Sequence, residues 1–189
     1  MKILERLEII QSSTSLVTEI ENSTKAITKC LRSGNKIVLF GNGGSAADAQ
    51  HIAAELIGKF NLNRKSLPAI SLTTNSSTLT ALSNDYSFDT VFSRQCESLI
   101  SKGDVSIGIS TSGNSINVKK GIITSKKMGA ITIGLLGNHG GTLKKYVDIP
   151  IIVNSSSTAL IQEIHRIVYH IICEIVEKEI TKSMKYQQK

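Results

Sequence analysis

Apolar and polar residues follow two different periods along this chain. Near the N-terminus, Leu4, Leu7, Ile10, Leu16, Ile20, Ile27 and Leu31 recur at helical spacing. That spacing predicts one long helix or two shorter ones, ended near Gly34. Beyond Gly34, short runs rich in aliphatic and β-branched residues follow at 36–40, 69–72, 105–109, 130–136 and 148–153. Stretches of helical spacing separate them, at 45–59, 76–82, 88–100, 115–128 and 158–182. Strands alternating with helices imply an α/β protein whose parallel sheet lies between layers of helices. Continuously apolar strands suit a sheet covered on both faces. No compositional break or repeat divides the chain, so residues 1–189 are expected to form one domain, with the polar stretch 183–189 fraying.

In open parallel sheets, ligands bind beyond the carboxyl ends of the strands. Two loops leave strands at that edge with useful chemistry. In the first, Gly41-Asn42-Gly43-Gly44-Ser45, the glycines allow a ligand close to the backbone. It lacks the Gly-Lys-Ser/Thr of a nucleotide P-loop and the spacing of the dinucleotide fingerprint. Alone, it reads equally well as a tight strand-to-helix turn. In the second, Ser110-Thr111-Ser112-Gly113-Asn114-Ser115, four hydroxyls precede a helix. The N–H groups and dipole of a helix start attract an anion, and hydroxyls add donors. The plainer reading is a capped turn.

Two helix faces add titratable groups. His51 and Glu55 are four apart, about 40° around one helix; Gln162 and His170 are eight apart, about 80° around another. On the first helix, Asp48, His51, Glu55 and Lys59 form a polar strip opposite Ala46, Ala49, Ile52, Ala53 and Leu56. On the last, Ile161, Ile164, Val168, Ile171 and Ile175 are read as the core stripe, with Gln162, Arg166, His170 and Cys173 opposite. A solvated face looks the same as either strip. Together, beside a glycine loop, the two pairs offer nitrogen and oxygen donors for a divalent metal and a phosphorylated substrate. His139 reads as a turn residue, and His165 as a supporting or hydrogen-bonding one.

Composition narrows the picture. With 4% aromatic residues and no Trp, aliphatic side chains must fill the core. The net charge of +7 favours anionic partners, but no basic segment interleaved with aromatics points to nucleic acid. Cys30, Cys96 and Cys173 are scattered and odd in number, which reads as reduced thiols in the cytoplasm. No signal-peptide core or membrane-length apolar run is present in the sequence, so a cytoplasmic protein without membrane attachment is expected.

Four segments together resemble the sugar isomerase (SIS) domain family, and within it the phosphoheptose isomerases. They are the run from Gly41 to Leu56, Asn84-Asp85-Tyr86, the segment from Gly108 to Ser115, and Ile161-Gln162-Glu163-Ile164-His165. They occur in the same order over nearly the whole chain. The resemblance implies a three-layer flavodoxin-like fold with a five-stranded parallel sheet and a long N-terminal helix. It further implies a homotetramer, with residues 1–33 packing in the oligomer and sites between subunits. The activity implied is ketose–aldose isomerisation of sedoheptulose 7-phosphate, an early step toward lipopolysaccharide or capsule heptose.

By the same resemblance, Asn42, Gly43, Gly44, Asn84 and Asp85 contact the sugar phosphate, with Glu55 and Gln162 also at the substrate. Ser110, Thr111, Ser112 and Ser115 hold the phosphate. His51, Glu55, Gln162 and His170 bind one zinc ion per subunit, and Glu55 and His170 serve as base and acid. The chain departs from the family at Lys59 (a frequent Arg), Asn75 (a frequent Asp), Ala159 (an acidic residue in some members) and Leu160 (often Arg). The competing reading is a non-catalytic relative that senses sugar phosphates or binds a replication initiator. Such initiator-binding relatives lack the acid/base pair, so the presence of Glu55 and His170 favours the enzyme.

Overall fold

Each of the five apolar runs becomes a strand, and all five pair in parallel. The structure, a computed structural model, describes residues 16–187. In chain order its elements are α1 (Val17–Arg32), β1 (Ile37–Gly41), α2 (Gly44–Ile57), β2 (Ala69–Ser71), α3 (Ser76–Asp85), α4 (Val91–Leu99), β3 (Val105–Ser110), α5 (Ile116–Lys127), β4 (Ile131–Leu136), β5 (Ile149–Ile152) and α6 (Thr158–Gln187). The strand order is β2-β1-β3-β4-β5. This is the flavodoxin-like order, whose switch point lies between β1 and β3.

Helices cover both faces. Ile37 and Leu39 of β1 pack with Ile52 and Leu56 of α2 and with Ile164 and Val168 of α6; α1 joins the same layer through Ile20 and Ile27. Val38 and Phe40 point the other way, onto Val91 and Phe92 of α4 and Val118 and Ile122 of α5. This alternation explains why β1 is buried at every position and reads as a continuous apolar run. The element ends follow local chemistry. Gly34, at φ +79°, closes α1 in the left-handed conformation that glycine tolerates best. Asn75 caps α3 by accepting from the Thr78 N–H at 3.0 Å, a role the frequent Asp would fill equally well.

The N-terminal helix is seen from Val17, while Leu4, Leu7 and Ile10 lie outside the described residues; among the described residues the longest helix is the C-terminal α6, with 30 residues. Two expectations change. On α6, Ile171 and Ile175 are 38% and 36% exposed while Cys173 is buried, reversing their expected faces. The buried arc runs instead through Ile161, Ile164, His165, Val168, Tyr169, Ile172, Cys173 and Val176. Isoleucines occur on every side of this helix, so hydrophobicity alone cannot orient it. On α2, Asp48 is buried rather than part of a solvated strip, and Lys59 lies beyond the helix end.

Candidate active site

The two chemically rich loops leave β1 and β3, the strands that flank the switch point. A reciprocal amide pair joins them. Asn42 Nδ2 donates to Asn117 Oδ1 at 2.8 Å, and Asn117 Nδ2 donates to Asn42 Oδ1 at 2.9 Å. Asn117 is buried, and its Oδ1 also accepts from the Val118 N–H at 2.8 Å. Asn42 is therefore a strap between the loops as well as an expected substrate contact. Asn117 carried no signal in the sequence, because its partner lies in a different loop.

The serine loop is built as a cluster rather than a cap. Ser115 occupies the N-cap position of α5 but makes no side-chain cap bond. Its Oγ lies 3.0 Å from Ser110 Oγ, which is also 3.3 Å from Ser112 Oγ. Thr111 is half-buried beside them. The N-cap of α2, Gly43, likewise offers no capping side chain. Two helix starts thus keep their N-terminal ends free of side-chain caps at the sheet edge, which suits an anion.

The helices α2 and α6 bring the titratable groups together. Gln162 sets its amide against Gly44, where any added side chain would have to push that amide aside. Farther along both helices, His51 Nε2 lies 3.0 Å from Glu55 Oε1. One ligand atom from each of His51, Glu55 and His170 lies within 4.8 Å of the others, and all three residues are half-buried. The rings of His51, Tyr169 and Phe60 surround His170 at centroid distances of 5.2, 4.8 and 5.7 Å. Burial first, and then the neighbouring His51, lower the His170 pKa below the usual imidazole value. A neutral ring carries one N–H and one lone pair. His51 also borders an open groove of about 650 Å³ beside β2, lined by Ala53, Ile57, Ile70 and Thr74.

This cluster fits a metal ion. Its donor set of two imidazoles and a carboxylate is one that zinc and similar divalent ions take. Bonds of about 2.1 Å would put ligand atoms about 3.4 Å apart, between the 3.0 Å separation of His51 and Glu55 and the 4.8 Å limit of the whole cluster. The remaining expected residues lie elsewhere. Asn84 and Asp85 are exposed at the end of α3, where Asn84 Nδ2 donates to Asp85 Oδ1 at 2.9 Å; among the described residues their side chains bond neither loop. His139 is exposed in a turn at φ +55°. His165 is fully buried.

Sequence reasoning also missed the supports behind the cluster. Tyr169 Oη contacts His51 Nδ1, Asp48 and Arg166. Buried Glu177 holds Arg64 and the turn after α2. Both sets join residues more than 100 positions apart.

The SIS domain family model matches residues 3–137. The chain is 49% identical over 179 residues to the phosphoheptose isomerase of Sulfurimonas denitrificans, covering 95% of this chain and 92% of that one. It is 53% identical over 161 residues to that of Crocosphaera subtropica, covering 85% and 82%. Among solved structures, phosphoheptose isomerase from Neisseria gonorrhoeae superposes with a TM-score of 0.88 at 39% identity, covering 94% of this chain and 95% of that one. The enzyme from Francisella tularensis gives 0.91 at 32% identity over the same shares. The chain belongs to the SIS-domain family and, within it, to the phosphoheptose isomerases.

Proposed function

We propose that this protein is a ketose–aldose isomerase converting sedoheptulose 7-phosphate to D-glycero-D-manno-heptose 7-phosphate. The observation that carries this reading is the convergence of His51, Glu55 and His170 in a chain about half identical to phosphoheptose isomerases. The phosphate rests in the loop of Ser110, Thr111, Ser112 and Ser115, supported by the start of α5. The sugar lies along Asn42, Gly43 and Gly44, with Gln162 beside them. The net charge of +7 favours capture of such an anion.

The reaction moves two hydrogens and needs no external oxidant. The Glu55 carboxylate takes the C1 proton of the ketose; the C–H electron pair forms the C1–C2 double bond of an enediol, and the carbonyl oxygen O2 gains a proton from the His170 N–H. The aldose forms when the proton held by Glu55 returns to C2 and the O1 proton passes to His170. A neutral His170 suits this exchange because it offers a donor and an acceptor on one ring. A zinc ion held by His51, Glu55, Gln162 and His170 would, when bound, polarise the substrate's oxygens as a Lewis acid.

We place the enzyme in a homotetramer with sites completed between subunits. The exposed Asn84–Asp85 pair and the half-exposed Ile167, Ile171 and Ile175 of α6 support that assembly. Three buried free cysteines accord with a cytoplasmic location, and among the described residues no helix is long and apolar enough to cross a membrane. The product would feed heptose precursors of lipopolysaccharide or capsule.

The test is incubation with sedoheptulose 7-phosphate, followed by NMR with and without a chelator. The expected result is aldose formation that falls when the metal is removed. No turnover of this or related ketose phosphates would replace the enzyme reading with a binding one.

A further inference from the structure

Behind the His51–Glu55–His170 cluster lies a layer that the reaction above does not use. Tyr169 Oη sits 3.2 Å from His51 Nδ1, 3.3 Å from Asp48 Oδ1 and 3.1 Å from Arg166 Nε. These groups can share hydrogens in few ways. The guanidinium only donates, the carboxylate only accepts, and the phenol has one hydrogen. An ordinary phenol, with a pKa of about 10, keeps that hydrogen near neutral pH.

If Tyr169 donated to His51, Asp48 Oδ1 would face phenol lone pairs at 3.3 Å. Among the described residues, the Asp48 side chain, 3% exposed, would then keep only its 3.4 Å contact with Arg166 Nη2. Leaving a buried carboxylate so poorly matched costs more than a hydrogen bond to a neutral imidazole contributes. The phenol hydrogen therefore goes to Asp48, and Tyr169 Oη accepts from Arg166 Nε and from His51 Nδ1–H. The free lone pair of His51 is then on Nε2, which faces Glu55 Oε1 at 3.0 Å. Two electron-rich atoms at that distance call for a proton or a metal ion between them.

We infer that Tyr169, anchored by Asp48, is a positioning residue that holds His51 in the Nδ1–H tautomer and aims its Nε2 lone pair at the metal position. The inference rests on reading the cluster as a metal site. Second-layer partners of this kind fix the ring of a metal-binding histidine. A merely structural link between α2 and α6 would leave the tautomer unaffected when the hydroxyl is removed.

The experiment uses the full chain, stripped of metal and titrated with zinc against a competing chelator, as wild type, Tyr169→Phe and Asp48→Asn. Long-range ¹⁵N–¹H NMR of the zinc-loaded proteins reports the His51 tautomer. The wild type is expected to carry its proton on Nδ1 and zinc on Nε2. Tyr169→Phe keeps the aromatic ring beside His51 and His170, and should weaken zinc binding tenfold to a hundredfold, with loss of the hydrogen-bonded Nδ1–H signal. Asp48→Asn should weaken it in the same direction by less; if Tyr169→Phe fails to fold, this variant and the wild-type spectrum decide. Wild-type zinc affinity in Tyr169→Phe, or zinc on Nδ1 in the wild type, overturns the positioning role while leaving the metal site intact. A wild-type protein that binds no zinc overturns both.

Discussion

Glu177 and Glu55 are glutamates on neighbouring helices of one layer, and the fold treats them in opposite ways. The Glu177 side chain is 1% exposed and accepts from the N–H groups of Phe60, Asn61 and Leu62 at 2.9, 2.8 and 2.9 Å, and from Arg64 Nε at 3.1 Å. Burial alone pushes its pKa up, and these donors more than reverse that, holding the carboxyl below its usual range. The Glu55 side chain is 23% exposed, and its carboxylate meets His51 in an open cluster. A carboxylate whose lone pairs are taken up by backbone donors and a guanidinium is structural. One left with free lone pairs beside two imidazoles is available to a proton or a metal.

The two are also connected. Arg64, held by Glu177, donates to the carbonyls of Glu55, Leu56 and Gly58 at 2.9, 2.8 and 3.0 Å, tying down the last turn of α2. The same clamp fixes Phe60, whose ring lies 5.7 Å from that of His170. The closed carboxylate thus steadies the turn that presents the open one.

Mutation should separate the pair. The largest effect is expected from Glu55→Gln and His170→Gln, each reducing kcat by roughly a thousandfold, within the range for loss of a positioned acid or base. Their urea midpoints should stay close to wild type. Either variant with full activity would remove that residue from the proton transfer. Glu177→Ala should show the converse. It leaves Arg64 buried without its counter-charge, and removing one partner of a buried pair costs about 3–5 kcal/mol. Equilibrium urea denaturation measures the loss, while any remaining folded enzyme keeps the chemistry of Glu55 and His170. A stable Glu177→Ala protein beside an unfolded Glu55→Gln protein would reverse the assignment of roles.

The sequence could reveal the sheet but not this contrast. Strands buried on both faces stay largely apolar, so the run at 105–109 lies within the observed Val105–Ser110, and α2 and α5 follow their predicted stretches closely. The Ser110–Ser115 and Asn42–Gly44 loops were legible because composition and strand order placed them at one edge. Tertiary polar pairs leave no local trace. Asp48 reads as a surface residue of α2 until Tyr169 and Arg166 arrive from α6, 121 and 118 positions away. Glu177 looks like any helical glutamate until Arg64 reaches it from 113 positions away. The reading of Glu55 and His170 as an acid/base pair rests on resemblance, since His and Glu at i, i+4 also occur on ordinary solvated faces.

His165 sharpens the contrast, because it is buried without being paired or available. It is 0% exposed on α6, and neither ring nitrogen makes a hydrogen bond among the described residues. Burial lowers its pKa to about 4, a drop only partly offset by the Leu136 carbonyl and Asp48. Its value in an unfolded chain is about 6.5. Between those values the unfolded chain binds a proton that the folded one excludes, so stability rises with pH. The contribution is complete above about pH 6.5 and is lost as the pH falls toward 4, on the order of 3 kcal/mol across the window. Glu177 and Asp148, both held below the usual carboxylate range, lose their contributions only at lower pH. His170, also lowered, acts in the same direction as His165, so the measurement must isolate His165. Urea midpoints at pH 7 and pH 4.8 for wild type and His165→Leu do so: the wild type should lose markedly more stability on acidification than the variant. Parallel profiles would show that His165 takes up its proton in the folded state, and that this core accommodates a buried charge without the donors it gives Glu177.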